Sequence, residues 1–186
     1  MTILKSKAAC TDFLAVRIKG ERIILSPISS EHARDIFCEF TEEITRYMMP
    51  KPLGSMSDAC EFIEKSRKNM EAGTELVFAI VRIDSGKFLG VCALHGNEDH
   101  QTPELGVWVR KSEHGNGFGM ESVRCLAEWT RENLVFSYMT YPVDRDNIPS
   151  RKIAESLGGV VLEKRVRKSA SGTTLNEIVY RIKLKR

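Results

Sequence analysis

Residues 22–40, RIILSPISSEHARDIFCEF, begin as an apolar strand and then change rhythm, with Ala33, Ile36, Phe37 and Phe40 on one helical face. Ser29 or Ser30 is the expected N-cap, and Glu31 sits favourably in the first turn. EITRYMMPKPLG (43–54) reads as a short helix stopped by Pro50 and Pro52. SDACEFIEKSRKNMEAG (57–73) reads as a second helix, capped by Ser57 and ended by Gly73. Its inner stripe is Ala59, Phe62, Ile63, Ser66 and Met70.

The texture then shifts from helical spacing to strands. ELVFAIVRI (75–83), the turn DSGK and FLGVCALHG (88–96) predict an antiparallel hairpin. A polar loop, NEDHQTP, leads to the strand ELGVWVR (104–110). Residues 118–133 return to a helical period, with Ser122, Val123, Leu126, Ala127 and Thr130 inward and Glu121, Arg124, Glu128 and Arg131 toward water. A strand over 135–143 and a short helix over 147–159 follow, with Asn147 as its cap and Gly158 as its end. VVLEKRVRK and LNEIVYRIKLK close the chain as a hairpin around SASG. The sum is an α+β domain: a mostly antiparallel sheet with helices packed on it. Residues 1–20 read as an N-terminal extension, which adds a strand (FLAVRI) or an arm, and 21–186 as one domain.

Composition narrows the picture. The 186 residues are 42% hydrophobic and 28% charged, which suits one folded domain with a core. The net charge of +3 fits an anionic ligand and does not call for nucleic acid, because no block of like charge appears. The most basic stretch, 162–172, alternates with apolar residues and reads as the solvated face of a strand and its turn. Cys10, Cys38, Cys60, Cys92 and Cys125 are irregularly spaced, so neither a metal site nor a disulfide framework is expected, and buried free thiols are. The N-terminus lacks the apolar core of a signal peptide, and no stretch approaches the 18 or so apolar residues of a membrane span. A cytoplasmic protein, monomer or homodimer, with no membrane or nucleic-acid partner is the expectation.

One stretch points to chemistry. HGNGFGMES (114–122) joins a strand to a helix start through three alternating glycines. The first N–H groups of a helix lack internal partners and point outward with the positive end of the dipole, which suits an anion. Glycines let a phosphate approach the backbone closely. A Walker loop fails here, because its second glycine falls at Met120. A dinucleotide fingerprint fits Gly115 and Gly117 but again meets Met120, and the turn lies mid-chain after an antiparallel meander.

The turn resembles the acyl-coenzyme A motif of the GNAT N-acetyltransferase superfamily, Gln/Arg-x-x-Gly-x-Gly/Ala, read here as His114, Gly115, Asn116, Gly117, Phe118 and Gly119. His114 replaces the usual Gln or Arg. Val109 stands where the family places the residue ending its fourth strand. ELGVWV resembles that strand in the ribosomal-protein N-acetyltransferase-like subfamily, and PVDRDNIPSRKIAESLGG its segment from the fifth strand through the fourth helix, with its Asn-x-x-Ser. The resemblance implies a mixed, mostly antiparallel GNAT sheet whose fourth and fifth strands splay apart, with helices on both faces. It implies acetyl-coenzyme A as acyl donor, with its pyrophosphate on the N–H groups of 114–119 and its pantetheine arm between the splayed strands near Val109. It implies no metal.

The activity so implied is direct attack of an amine on the acetyl thioester. An α-amine with a pKa near 7.7–8.0 is roughly a quarter neutral at pH 7.4, whereas a lysine amine near 10.4 is neutral about one part in a thousand, so lysine needs a base more. Glu104 opens the fourth strand and is the candidate base, directly or through a water, with a solvated strand-end carboxylate or a salt-bridge partner as the alternative. Ser150 matches the serine near the leaving thiolate, and Asn147 a contact to the pantetheine arm; both also suit helix capping. The family's frequent tyrosine acid on helix four falls at Ala154, so that route is absent, and Tyr138 and Tyr141 are assigned to the sheet. Trp108 reads as core or pocket wall, and Cys92 and Cys125 as core. The acceptor, a protein N-terminus or a small amine, would be walled by residues 29–73 and 160–184, with TRYMMPKPLGSM (45–56) as pocket lining, lid or packed connection. A non-catalytic acyl-coenzyme A sensor or scaffold of the same fold is the competing class.

Overall fold

A computed structural model describes residues 4–8, 11–96 and 101–183. Cys10, residues 97–100 of the polar loop and the last residues of the closing strand lie outside them. In chain order the elements are β1 (Lys5–Ser6), β2 (Ile18–Lys19), β3 (Ile23–Pro27), α1 (Ala33–Glu39), α2 (Glu42–Thr45), α3 (Met56–Glu71), β4 (Glu75–Arg82), β5 (Phe88–His95), β6 (Glu104–Val109), α4 (Phe118–Asn133), β7 (Leu134–Val135), β8 (Met139–Asp144), α5 (Ile148–Ser156), β9 (Val160–Lys168) and β10 (Thr174–Ile182). Eight strands form one sheet in the order β2-β3-β4-β5-β6-β8-β10-β9, and β1 pairs separately with β7.

Strands β4 and β5 are buried along nearly their whole length rather than on alternate residues. That is why their sequences are almost continuously apolar: both faces of this part of the sheet are covered. Helices α1 and α3 pack on each other and on β5 and β4, while α4 packs over β2, β3, β5 and β6. Neighbouring residues of β6 report the two layers. The Trp108 ring lies 5.1 Å from Phe40 at the end of α1, whereas Val109 approaches Gly119 of α4. Phe78, Leu89, Leu94, Leu105 and Leu126 are fully buried between them. Truncating such a side chain to Ala costs about 2–5 kcal/mol.

Strand register follows from the turn at 84–87. β4 pairs β5 as Glu75↔His95 through Ile80↔Gly90, with a bulge beyond Ile80. Gly90 is required there, since a Cβ on it would lie 2.1 Å from the Trp108 carbonyl oxygen. β5 pairs β6 as His95↔Glu104 through Gly90↔Val109. All these pairings are antiparallel. The exception is β6 with β8, which are parallel and joined at one pair, Glu104↔Thr140. The Thr140 N–H donates to the Pro103 carbonyl at 2.9 Å, and beyond that point the two strands separate.

Several expectations are corrected. The helix expected over 43–54 ends at Thr45, and the chain then turns through the Pro50–Pro52 segment. The cap of α3 is Ser55, not Ser57. The Ser55 hydroxyl accepts from the Asp58 N–H (3.2 Å), and the Asp58 carboxylate accepts from the N–H groups of Gly54 (2.8 Å) and Ser55 (3.1 Å), a reciprocal box two residues earlier than expected. The strand expected over 135–143 is two strands. Val135 and Leu134 pair with β1, and the main sheet receives the chain again only at Met139. The break holds because Ser137 and Tyr138 both donate their N–H groups to the Gln101 carbonyl, at 2.8 and 3.3 Å. In FLAVRI, Phe13–Ala15 is a 3₁₀ turn and only Ile18–Lys19 joins the sheet, as an edge beside β3. Cys92 is buried, but Cys38 and Cys60 are exposed and Cys125 is half-buried, so the expected burial of the thiols holds only in part.

Candidate active site

The glycine turn is built to face outward. After Val109, the Arg110 N–H still bonds the Leu89 carbonyl (2.7 Å), and Glu113 is drawn inward to the Lys87 ammonium (2.6 Å). Residues 114–117 are then exposed. Gly115 and Gly117 adopt φ of 81° and 80°, a region that penalises any Cβ, and a Cβ on Gly115 would meet nothing within 4 Å. Gly117 is the N-cap residue of α4 and offers no side chain to satisfy the helix's first N–H groups. The turn therefore presents main-chain donors at a positive dipole end to the outside.

The turn is also braced from behind. The Glu121 carboxylate, expected to face water, accepts from the Arg22 main-chain N–H (2.7 Å) and from its Nε (2.8 Å). Arg22 Nη1 in turn donates to the Asn116 carbonyl at 3.0 Å, and its guanidinium lies 4.6 Å from the centre of the Phe118 ring. The Phe118 side chain is buried, so its outward contribution is main-chain. The His114 Nε2 pairs with the Val109 carbonyl at 2.8 Å, and a Cβ built on Gly119 would lie 3.5 Å from the side chains of both Val109 and Ile153. His114 thus fastens the turn to the end of β6.

The gap between β6 and β8 opens into a cavity of about 340 Å³, whose lining follows β6 as far as Trp108. One wall is a single face of the sheet: Glu75 and Val77 from β4, Val91, Ala93 and His95 from β5, and Glu104, Gly106 and Trp108 from β6. On the β8 side it reaches Tyr141, Asn147 and Ser150, which belong to the face covered by α5. The cavity therefore passes through the sheet where the ladder is missing. The 45–56 segment supplies Tyr47, Met48, Met49 and Pro50, and the closing hairpin supplies Arg167 and Glu177. A hydrogen bond from the Ala170 N–H to the Met49 carbonyl (2.8 Å) ties these two walls together.

The expected residues fall into two groups. Glu104, Asn147 and Ser150 line the cavity, while Val109 ends β6 and residues 114–119 form the turn beyond it. Asn147 caps α5, its side-chain oxygen accepting the Ser150 N–H at 3.3 Å. The Ser150 hydroxyl is 2.9 Å from the Tyr141 hydroxyl. Burial pushes the Tyr141 phenol well above its ordinary range, so it remains protonated. Burial likewise pushes the Cys92 thiol up, and it is inert.

Three of the side chains gathered here were not expected. Tyr141 was assigned to the sheet alone. Glu75 and His95 carried no motif, yet the His95 Nδ1 lies 3.0 Å from the Glu75 carboxylate. Burial pushes the Glu75 carboxyl up, but hydrogen bonds from His95 and Asn69 outweigh it, and the net direction is below the ordinary carboxylate value. The signal was in the hairpin: a turn centred near residue 85 places 75 opposite 95.

A family model described as an acetyltransferase (GNAT) domain matches residues 22–160, and the chain belongs to that family. It is an acetyl-coenzyme A-dependent acetyltransferase. An uncharacterized N-acetyltransferase, p20, of Bacillus licheniformis is 26% identical over 140 residues, covering 74% of this chain and 78% of its own. The fold is shared with the microcin C7 self-immunity acetyltransferase MccE, solved with acetyl-CoA and AMP (TM-score 0.77, 18% identity, 89% of this chain and 93% of that one). It is shared too with the Salmonella typhimurium acetyltransferase that modifies the N-terminal serine of ribosomal protein L7/L12 (TM-score 0.77, 11% identity, 92% and 100%).

Proposed function

We propose that the chain transfers the acetyl group to a primary amine, of a protein N-terminus or a small molecule, by direct attack with donor and acceptor bound together. The observation that carries this reading is the cavity through the sheet, which runs along β6, the strand that leads into the outward-facing glycine turn, and holds a carboxylate and a hydroxyl on its walls. The open face over Gly115 and the uncapped start of α4 fit a diphosphate, so residues 114–119 would hold that part of acetyl-coenzyme A, with Val109 and Asn147 along the arm. The donor supplies an activated acetyl thioester.

The protein's own part is proton handling. Glu104 accepts a proton from the amine nitrogen as the new bond forms, directly or through a water. Ser150 gives a proton to the departing sulfur. The Tyr141 and Ser150 hydroxyls share one hydrogen bond of 2.9 Å, and when Tyr141 is its donor the serine hydrogen is left to point elsewhere. Tyr141 thus stands in for an acid on the helix, where Ala154 is fully buried. Glu75, Glu104 and Glu177 line the cavity with Arg167; Arg165 pairs with Glu177 at 2.7 Å, which leaves Glu75 and Glu104 at the edge of the sheet gap as the carboxylates that favour entry of a cationic ammonium. The N-terminal-serine modification by the Salmonella enzyme illustrates an acceptor of this class on the same fold.

The test is an amine panel with detection of released thiol, covering short peptides, polyamines and aminoglycosides. Turnover of at least one amine is expected. Tight acetyl-coenzyme A binding with no amine turned over would replace this reading by a sensing module.

A further inference from the structure

His95 stands at the end of β5, opposite Glu75 on one side and Glu104 on the other. The Glu75 carboxylate is ionised and only accepts, so the neutral imidazole bonded to it carries its hydrogen on Nδ1 and leaves the lone pair on Nε2. Nε2 is aimed into the cavity: a Cβ built on Gly106 would meet it at 3.8 Å. Glu75 is itself held by the Asn69 amide at 3.0 Å, and its side chain is 15% exposed against 41% for His95. The orienting group is sheltered, and the ring it orients reaches both the cavity and water. The other titratable or charged groups on the same cavity are Tyr47, Glu104, Tyr141, Arg167 and Glu177.

The stoichiometry of the reaction asks for such a group. An ammonium that becomes an amide loses two protons from nitrogen; one ends on the thiol and one in solvent. A single carboxylate accounts for one of these. We propose, resting on the primary-amine reading above, that His95 Nε2 takes the first proton from the bound ammonium and passes it to water, and that Glu75 is the positioning residue that fixes its tautomer. Glu104 takes the second proton as the N–C bond forms and the C–S bond breaks; the Ser150 hydroxyl gives a proton to the thiolate and takes up, through water, the one that Glu104 removed, so the second proton ends on the thiol. No oxidant, reductant or further reactant enters.

The experiment is the pH dependence of kcat/KM for one amine of the panel, in wild type, His95→Gln and Glu75→Gln. Wild type is expected to reach its plateau well below the pKa of the amine itself. His95→Gln depends on amine already neutral in solution, so its kcat/KM is expected to climb about tenfold per pH unit up to the amine's own pKa and approach wild type there. At pH 7 the loss is about tenfold for a peptide α-amine and on the order of a thousandfold for a lysine-type amine. Glu75→Gln, which keeps the imidazole, is expected to lower kcat with KM unchanged. Unchanged acetyl-coenzyme A affinity by calorimetry checks that each variant is folded, and should His95→Gln fail that check, the kcat and KM of Glu75→Gln decide. A His95→Gln profile that superposes on wild type, or a Glu75→Gln kcat equal to wild type, overturns the role of His95 and leaves the amine reading standing. A wild type that binds acetyl-coenzyme A but turns over no amine overturns both.

Discussion

The Tyr141 hydroxyl sits 2.9 Å from Ser150 Oγ, linking the strand on the far side of the sheet gap to the first turn of the helix beyond it. The bond gives a buried phenol its partner and fixes a serine rotamer at the cavity wall. Ser150→Ala is expected to lower kcat by roughly a hundredfold, the lower end of general acid–base effects, with acetyl-coenzyme A affinity little changed. Tyr141→Phe removes only the support and is expected to lower kcat about tenfold, with a loss of about 1 kcal/mol in stability. Steady-state kinetics with denaturant unfolding read both. A Ser150→Ala enzyme at full rate would leave Asn147–Ser150 a capping device and nothing more.

Gly117 and Gly115 separate two reasons for a glycine. Both have positive φ, so any substitution is strained by about 1–2 kcal/mol. A Cβ on Gly115 meets open space, whereas one on Gly117 has the Arg22 guanidinium at 3.5 Å. Gly117→Val, bulky and β-branched at the start of α4, is expected to raise the acetyl-coenzyme A Kd at least tenfold, and Gly115→Ala to raise it less. Calorimetry measures both, and equal affinities in all three proteins would disconnect the turn from the donor.

Glu121 is a test of bracing rather than of contact. Its carboxylate holds the main chain and side chain of Arg22, which holds the Asn116 carbonyl. Arg22 is 47% exposed, so the pair adds about 1 kcal/mol or less to stability. Glu121→Gln should therefore cost little in Tm but several-fold in donor affinity, because the turn loses its backing. A larger fall in Tm than in affinity would show the pair to be structural.

Stability should depend on pH through Glu75. Its carboxyl is lowered in the fold relative to its ordinary value, about 4.3, so the unfolded chain binds the proton more readily. The contribution is present above that ordinary value and disappears as pH falls through the folded one. Thermal unfolding of wild type and Glu75→Gln between pH 7 and pH 3 is expected to converge at the acid end. A gap between the two that stays constant with pH would remove Glu75 as its source.

The sheet and its long helices were legible because their periodicities are strong: 118–133 is helical as expected, and the β4–β5 hairpin follows from a turn flanked by β-branched runs. The turn at 114–119 was legible because phosphate contact needs glycines at fixed spacing. The rest depends on pairing between distant segments. Nothing local in VFSYMTYPV says that its first residue belongs with β1, because the partner is 130 positions away. Ser57 and Ser55 are equally good caps by residue type, and only Asp58 at the third position decides between them. Glu75 and His95 have no motif because their chemistry is made by strand register. Glu121 looked solvated because its partner, Arg22, precedes it by 99 residues.

The lone pairing of Glu104 with Thr140 divides the large sheet into plates of five and three strands hinged at one corner. Each plate must therefore keep its own alignment without a ladder along the length of the opening. Covering helices and the chain crossings, rather than a continuous ladder, set the angle between them.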